Sequence, residues 1–512
     1  MAIILTTMNI ITACNKSKSA NRPLLSKRKE LPGGKSPNIL FIMADDLSTQ
    51  AVSIYKQRYA EVFKTPNLDR IGKEGCVFTN TFATNPICAP SRATILTGQY
   101  SQNNGVRGFA ESLDKEKNTV PKMLQGAGYE TAIIGKWHLR EEPQGFNYYN
   151  VFYEQGEYFD CPFIEKGSVE WPDAKYPASV KISGHVTDVI TDMSIKWIEN
   201  RDKDKPFALM VHHKAPHGPF NQYDPKYNSF LANVELPVPE SLYDDESTRS
   251  LGSRNFGNKI YKGDMSTEQG KTAAYQSYQN YVKNYLRLVR GMDDNVGRLL
   301  DYLDKEGLSQ NTVVVFTSDQ GMFLGEHTFS GKRWVYEESI RMPLMIRYPV
   351  EIPANSICHD IITNVDFAPM LLDYASLEKT DEMQGRSFRD NALGDRPYDW
   401  QTDVYSRYWL HLTHHNVPAQ YCIRTDDYKL ILFYGLPLDV KTALPGETPA
   451  GWELYDLKKD PCEMHNVYND PDYADVVRQL KQQVLDKKIT ITDIDSKYPQ
   501  MTDKIKEADE GN

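Results

Sequence analysis

The chain has 512 residues, 40% of them hydrophobic and 25% charged, and a formal net charge of −10. That length exceeds what one hydrophobic core needs, so a large domain with a smaller companion is expected. The acidic balance excludes nucleic acid as a partner, since phosphate neutralisation requires a basic face, and no segment beyond the N-terminus has the apolar length of a membrane-spanning helix.

Residues 1–13 are largely apolar and end in Ile11-Thr12-Ala13-Cys14. A small residue before Cys, after a short apolar run, resembles a bacterial lipoprotein signal over 1–14 with Cys14 as the lipidated first mature residue. Residues 15–36 read as a polar tether containing Pro and Gly. The chain is therefore expected to be exported, in the periplasm or at the cell surface, and held to the membrane through a lipid on Cys14. Seven cysteines in so long a chain are not a disulfide framework, and any pairing is left open by the sequence.

The folded part is expected to begin at Pro37-Asn38. Residues 38–44 are an apolar run short enough for a strand buried on both faces, and the run ends in Asp45-Asp46. Val120–Gln125 reads as a short helix before Gly126-Ala127-Gly128. Thr131–Ile134 is a second buried-strand candidate running into Gly135-Lys136-Trp137-His138, and Phe207–Val211 is a third running into His212-His213. Residues 222–270 are polar and irregular, a long surface excursion near a substrate entrance. Apolar residues at spacings of three and four from near Ala273 towards Leu303 predict a long packing helix. Thr312–Ser318 is the fourth buried strand and ends in Asp319-Gln320-Gly321. In open α/β sheets ligands bind outside the carboxyl ends of the strands, so these four polar endings are expected to share one site. After about residue 390 the pattern changes: Gln420–Arg424 and Lys429–Phe433 predict a hairpin, Trp452–Tyr455 a strand, and Asp472 is expected to cap a helix carrying Val476, Val477, Leu480 and Val484.

The sharpest local pattern is Cys88-Ala89-Pro90-Ser91-Arg92-Ala93-Thr94-Ile95-Leu96-Thr97-Gly98. Pro90 and the run to Gly98 predict a helix whose N-terminus lies beside residue 88, presenting free N–H groups and the positive dipole end to an anion. Asp45, Asp46, Asp319 and Gln320 are hard oxygen donors at two strand ends, which suits calcium or magnesium rather than zinc. A metal with a few converging Lys, Arg and His reverses the field of an acidic protein inside one cleft.

The run Cys88–Gly98 resembles, without departure, the signature of the formylglycine-dependent sulfatases of the alkaline phosphatase superfamily. Gly135-Lys136-Trp137-His138, His213-Lys214-Ala215-Pro216-His217, Gly325-Glu326-His327 with Lys332, and the stretch Trp452–Pro461 resemble further family segments in family order. The resemblance implies an α/β fold: a large mixed, mostly parallel sheet flanked by helices over 37–390, with a smaller α+β domain on an antiparallel sheet over 391–512. It implies that Cys88 is oxidised to Cα-formylglycine by a formylglycine-generating or an anaerobic sulfatase-maturating enzyme. One calcium ion would be held by Asp45, Asp46, Asp319, Gln320 and the residue 88 oxygen, although Gln320 stands where Asn is commoner. In the implied mechanism the hydrated aldehyde attacks sulfur, Arg92 holds it, and Lys136 and Lys332 stabilise the sulfuryl oxygens. His217 protonates the leaving oxygen or helps Lys332 to do so, and His138 takes the proton that lets sulfate leave.

The alcohol half of the substrate must be recognised elsewhere. Tyr405–His411, with His414 and His415 nearby, is dense in sugar-contacting residue types and resembles segments of polysaccharide sulfatases, which makes Arg407, His411, His414 and His415 candidate substrate residues. The same aromatics and histidines equally suit a role in holding the two domains together. A sulfated glycan is the expected substrate, with N-acetylglucosamine 6-sulfate and algal glycans such as ulvan as candidates. Two alternatives stay open: a phosphonate or phosphate ester hydrolase of the same superfamily, and a glycan-binding lipoprotein with an inactive site.

Overall fold

The computed structural model describes residues 36–171 and 180–511. The expected signal over 1–14, Cys14 and most of the tether lie outside the described residues. The framework is a ten-stranded sheet. Its centre is four parallel neighbours: Thr312–Ser318, Asn38–Asp45, Phe207–Pro216 and Glu130–Lys136. The strand Leu344–Arg347 runs antiparallel beside Thr312–Ser318, so the sheet is mixed.

The central strands are continuous apolar runs because both faces are covered. Ile39, Phe41 and Met43 pack into one core cluster and Leu40, Ile42 and Ala44 into another, so successive side chains feed opposite layers. The helix Glu268–Lys305, 38 residues long, seals the second face through Tyr278, Val282, Tyr285, Val289, Met292, Val296, Leu299 and Leu303. Each such fully buried large side chain contributes roughly 1.5–3 kcal/mol. Asn38 fixes where the fold begins, since its side chain accepts from the N–H of Phe207 at 3.1 Å and donates to the Thr312 hydroxyl at 3.4 Å. The three neighbouring strands therefore start level.

Level starts bring level ends. Ala44 lies opposite Ser318, and Gly135 opposite His212, so Asp45, Asp319, Lys136 and the His212–His217 stretch emerge on one rim. The close approach at Gly135 needs glycine: its φ is +106°, and a Cβ would stand 2.0 Å from the carbonyl oxygen of His212.

The C-terminal part is a four-stranded antiparallel sheet: Asp403–Tyr408, Gln420–Thr425, Tyr428–Phe433 and Gly451–Asp456. Its inner face shares a core cluster with Cys88, Phe82 and Ile87, so it packs directly behind the helix that begins at Cys88. Two expectations need correction. The helix carrying Leu480 and Val484 starts at Ala474, and Asp472 does not cap it; Asp470 instead accepts from the Asp472 N–H and caps the short turn Pro471–Tyr473. The excursion over 222–270 is irregular as expected, but it is not all surface, because Ser241, Leu242, Arg249 and Ser253 are buried against the loop 325–330 and the second sheet. The six described cysteines are free.

Candidate active site

Cys88 opens the helix Cys88–Thr97, whose ten residues are all buried. Ile87 precedes it in extended conformation and supplies no side-chain cap, and Gly98 ends it with φ 63°. The helix is anchored from below: the Ser91 hydroxyl donates to the Asp319 carbonyl and accepts from the Asn364 amide at 2.8 Å. One turn on, Arg92 reaches the strand ends. Its Nε and Nη2 donate to Asp319 Oδ2 at 3.1 and 2.9 Å, and Nη1 donates to the Lys136 carbonyl at 3.1 Å. His212 Nδ1 meets that same carbonyl at 3.1 Å. Backbone and side chains thus fix Arg92 and Lys136 relative to each other.

Three buried carboxylates face three buried cations. Lys136 bonds Asp45, and it donates to the Gln155 side-chain oxygen at 2.7 Å. Lys332 Nζ sits 2.6 Å from Asp46 Oδ1, and Gln320 Nε2 bonds the same carboxylate. The backbone of Asp46 is left-handed, φ 68°, and its N–H donates to Asp319 Oδ1 at 3.1 Å. Burial and the neighbouring Asp45 push Asp319 well above the usual carboxylate range, whereas at Asp45 the burial penalty is outweighed by Lys136, His217, Arg92 and Lys332, which hold it well below.

This donor set fits a hard cation. Asp45 Oδ1 and Gln320 Oε1 are buried oxygens with no hydrogen-bond donor, and one ligand atom from each of Asp45, Asp46 and His217 lies within 4.8 Å of the others. Oxygen-rich, carboxylate-dominated sites take calcium or magnesium. With Asp45, Asp46 and Asp319 balanced by Arg92, Lys136 and Lys332, a divalent cation leaves the site net positive, ready for an anionic ester.

The site opens into a cleft of about 550 Å³, a volume suited to a sugar-sized ligand. Cys88, Asp46, His138, His217 and Lys332 line its floor. His217 Nδ1 meets the Gly218 carbonyl at 2.8 Å, which leaves Nε2 turned to Asp46 at 3.7 Å. Burial, with Lys332, pulls His217 well below its ordinary pKa. His138 is likewise held neutral by burial and Lys136; it stacks on Phe109 at 5.6 Å, and its Nδ1 has no partner.

The four candidate substrate residues separate. His414 and His415 line the cleft. Arg407 and His411 do not, and the expectation that they face substrate is corrected here. Arg407 is 1% exposed, donates to Asp493 at 2.6 Å, and lies 3.6 Å from the centroid of the Trp409 ring. His411 is buried and accepts the Ala419 N–H through Nδ1 at 3.2 Å. Both knit the C-terminal part of the chain together. Arg407→Ala, which strands the Asp493 carboxylate, is expected to cost about 3–5 kcal/mol in denaturant unfolding; a substrate KM that rises while stability holds would contradict this role.

Several site residues had no sequence signal. Phe109, Arg140 and Gln155 come from loops, and only the folded chain brings them to the cleft. Lys214 lies inside a recognisable segment, but its role is hidden there: it is buried, donates to the Gln155 carbonyl at 2.9 Å, and faces the Tyr158 ring at 4.9 Å. Burial lowers its pKa to about 8. Arg333, next to Lys332, also lines the cleft.

Known proteins resemble this chain along most of its length. The model of the sulfatase family matches residues 37–377, and that of the N-sulphoglucosamine sulphohydrolase C-terminal region matches residues 325–490. An N-acetylglucosamine-6-O-sulfatase of Bacteroides thetaiotaomicron is 39% identical over 505 residues, 88% of this chain and 85% of that protein. The human N-acetylglucosamine-6-sulfatase is 27% identical, with 73% and 68% covered. A solved structure of a protein in complex with its substrate D-glucosamine-2-N,6-O-disulfate superposes with a TM-score of 0.82 at 37% identity, covering 91% of this chain and all of that one. The chain belongs to the sulfatase family of the alkaline phosphatase superfamily and is a sulfuric ester hydrolase.

Proposed function

We propose that this enzyme removes the 6-O-sulfate of glucosamine residues, N-acetylated or N-sulfated, in sulfated glycans. The observation that carries the reading is likeness along nearly the whole chain, at 39% and 37% identity, to a 6-O-sulfatase and to a complex with a 6-O-sulfated glucosamine. Cys88 is read as the site of the formylglycine, and Asp45, Asp46, Asp319 and Gln320 as the holders of calcium. A hydrated formylglycine supplies a nucleophilic hydroxyl and a second one through which sulfate is released, while calcium supplies positive charge against the sulfuryl oxygens.

The remaining work falls to this chain's own groups. Lys332 offers its ammonium group to the sulfuryl oxygens from the preorganised floor, and Lys136, buried beneath it against Asp45 and Gln155, adds positive charge in a low-dielectric setting where it acts more strongly than in water. Arg92, clamped between Asp319 and the Lys136 carbonyl, orients residue 88 from the metal side. His217, with Nδ1 donating to the Gly218 carbonyl, turns a bare Nε2 to the cleft, and so helps Lys332 to deliver the proton that the departing sugar oxygen needs rather than carrying that proton itself. His138 Nδ1, buried and without a partner, is the base for the proton lost when sulfate leaves. Cys14 is our candidate for lipid attachment, which sets the enzyme in the periplasm or at the cell surface beside its glycan.

The test is sulfate release from glucosamine and galactosamine sugars sulfated singly at O2, O3, O4 or O6, with mass analysis of the peptide carrying residue 88. Preference for the glucosamine 6-O-sulfate and an aldehyde at residue 88 are expected. Preference for another position, or an unmodified thiol in active enzyme, overturns the corresponding part.

A further inference from the structure

Seven arginines are buried among the described residues, and six of them reach a carboxylate. Arg92 pairs with Asp319, Arg249 with Asp244, Arg347 with Glu74, Arg389 with Glu351, Arg407 with Asp493 and Arg424 with Glu337. Arg333, 4% exposed, forms no ion pair with any described residue. Its hydrogen-bond partners are neutral: Nη1 donates to the Tyr408 hydroxyl at 3.3 Å and to the Thr413 carbonyl at 2.6 Å, while Nε has no partner. The guanidinium lies 5.4 Å from the centroid of the Phe109 ring, on the wall of the catalytic cleft.

An unpaired buried cation is costly, and the usual resolution is a counter-charge at hydrogen-bond distance. A planar guanidinium held by its neighbours is shaped to receive a sulfate or carboxylate through two parallel N–H groups. Lys332 and Arg333 are consecutive but diverge. Lys332 turns down to Asp46, whereas Arg333, at φ 92°, turns to Phe109 and to Tyr408 and Thr413 of the C-terminal part. The scissile sulfate therefore has Lys332, and Arg333 is placed for another group. A second unsatisfied atom stands on this wall, His415 Nδ1, buried and without a partner. Gly331 permits that placement, since a Cβ there would approach His415 Nδ1 to 2.7 Å.

We propose that Arg333, together with His415, binds a second acidic group of the substrate: an N-sulfate on the 6-O-sulfated sugar or the carboxylate of an adjoining uronic acid. The proposal rests on the 6-O-sulfatase reading above and makes Arg333 a specificity-determining residue.

The test compares kcat/KM of the wild-type enzyme with Arg333→Gln, Arg333→Lys and His415→Ala on three substrates. These are 6-O-sulfated N-acetylglucosamine, its N-sulfated counterpart, and 6-O-sulfated N-acetylglucosamine joined to a uronic acid. The readout is the ratio of each acidic substrate to the N-acetylated monosaccharide, which a shared loss of folding or turnover does not move. Arg333→Gln is expected to lower one ratio at least tenfold, and the ratio that falls names the acidic group. Arg333→Lys is expected to be intermediate, because it keeps the charge and loses the fork, and His415→Ala is expected to lower the same ratio. If both ratios stay unchanged in Arg333→Gln and Arg333→Lys, the assignment is overturned while the 6-O-sulfatase reading stands. If the wild-type enzyme turns over none of the three, that reading is overturned and the assignment with it.

Discussion

Cys88→Ala is expected to lower sulfate-ester turnover by at least about 10⁴-fold, because it removes the proposed nucleophile while leaving the charged groups around it in place. The fold should scarcely respond. Residue 88 is the first of a ten-residue helix whose hold on the sheet comes from Ser91 and Arg92, and alanine is at home in a helix. A stability change within about 1 kcal/mol in urea unfolding is expected. Turnover near that of the wild-type enzyme would move the nucleophile elsewhere. A large loss of stability would instead show that the thiol position carries packing that the surrounding hydrogen bonds do not.

Asp45→Asn is expected to abolish tight calcium binding and to reduce turnover by about 10³-fold or more. The substitution removes one of three carboxylates that share the rim, and it leaves Lys136 without its ion-pair partner. Binding is measured directly by calorimetry, so the result does not depend on activity. Calcium at one hundred times its Kd should stabilise the wild-type protein by about 2.7 kcal/mol and the variant by far less. A chelator should remove that increment from the wild-type protein and change the variant little. Equal calcium stabilisation of both proteins would put the ion at another place. Replacing Asp319 offers a second check, since burial and Asp45 already press that carboxyl towards its neutral form and a bound cation relieves the strain.

The same crowding of charge explains why the rim was readable at all. Asp45-Asp46 and Asp319-Gln320 follow apolar runs that have no use for polar residues, so their chemistry stood out against the strands that carry them. Cys88–Gly98 was legible because helix signals and the reactive residue are adjacent in the chain. Strand periodicity, the long helix Glu268–Lys305 and the hairpin near residue 426 depend on local patterns, which act before any long-range contact forms.

The sequence by itself therefore determined the family and the parallel core, and it singled out Cys88 and the oxygen donors as candidates, because each is written in contiguous residues with local physical causes. The tertiary structure alone decided which polar residues face the cleft. Arg407 and Arg333 are both arginines in segments rich in aromatic residues, and nothing local distinguishes them. The first finds Asp493, 86 positions away, and becomes structural; the second meets no acid among the described residues and is left on the cleft wall. A charge's role is set by the partner that folding brings to it, and that partner is remote in the chain.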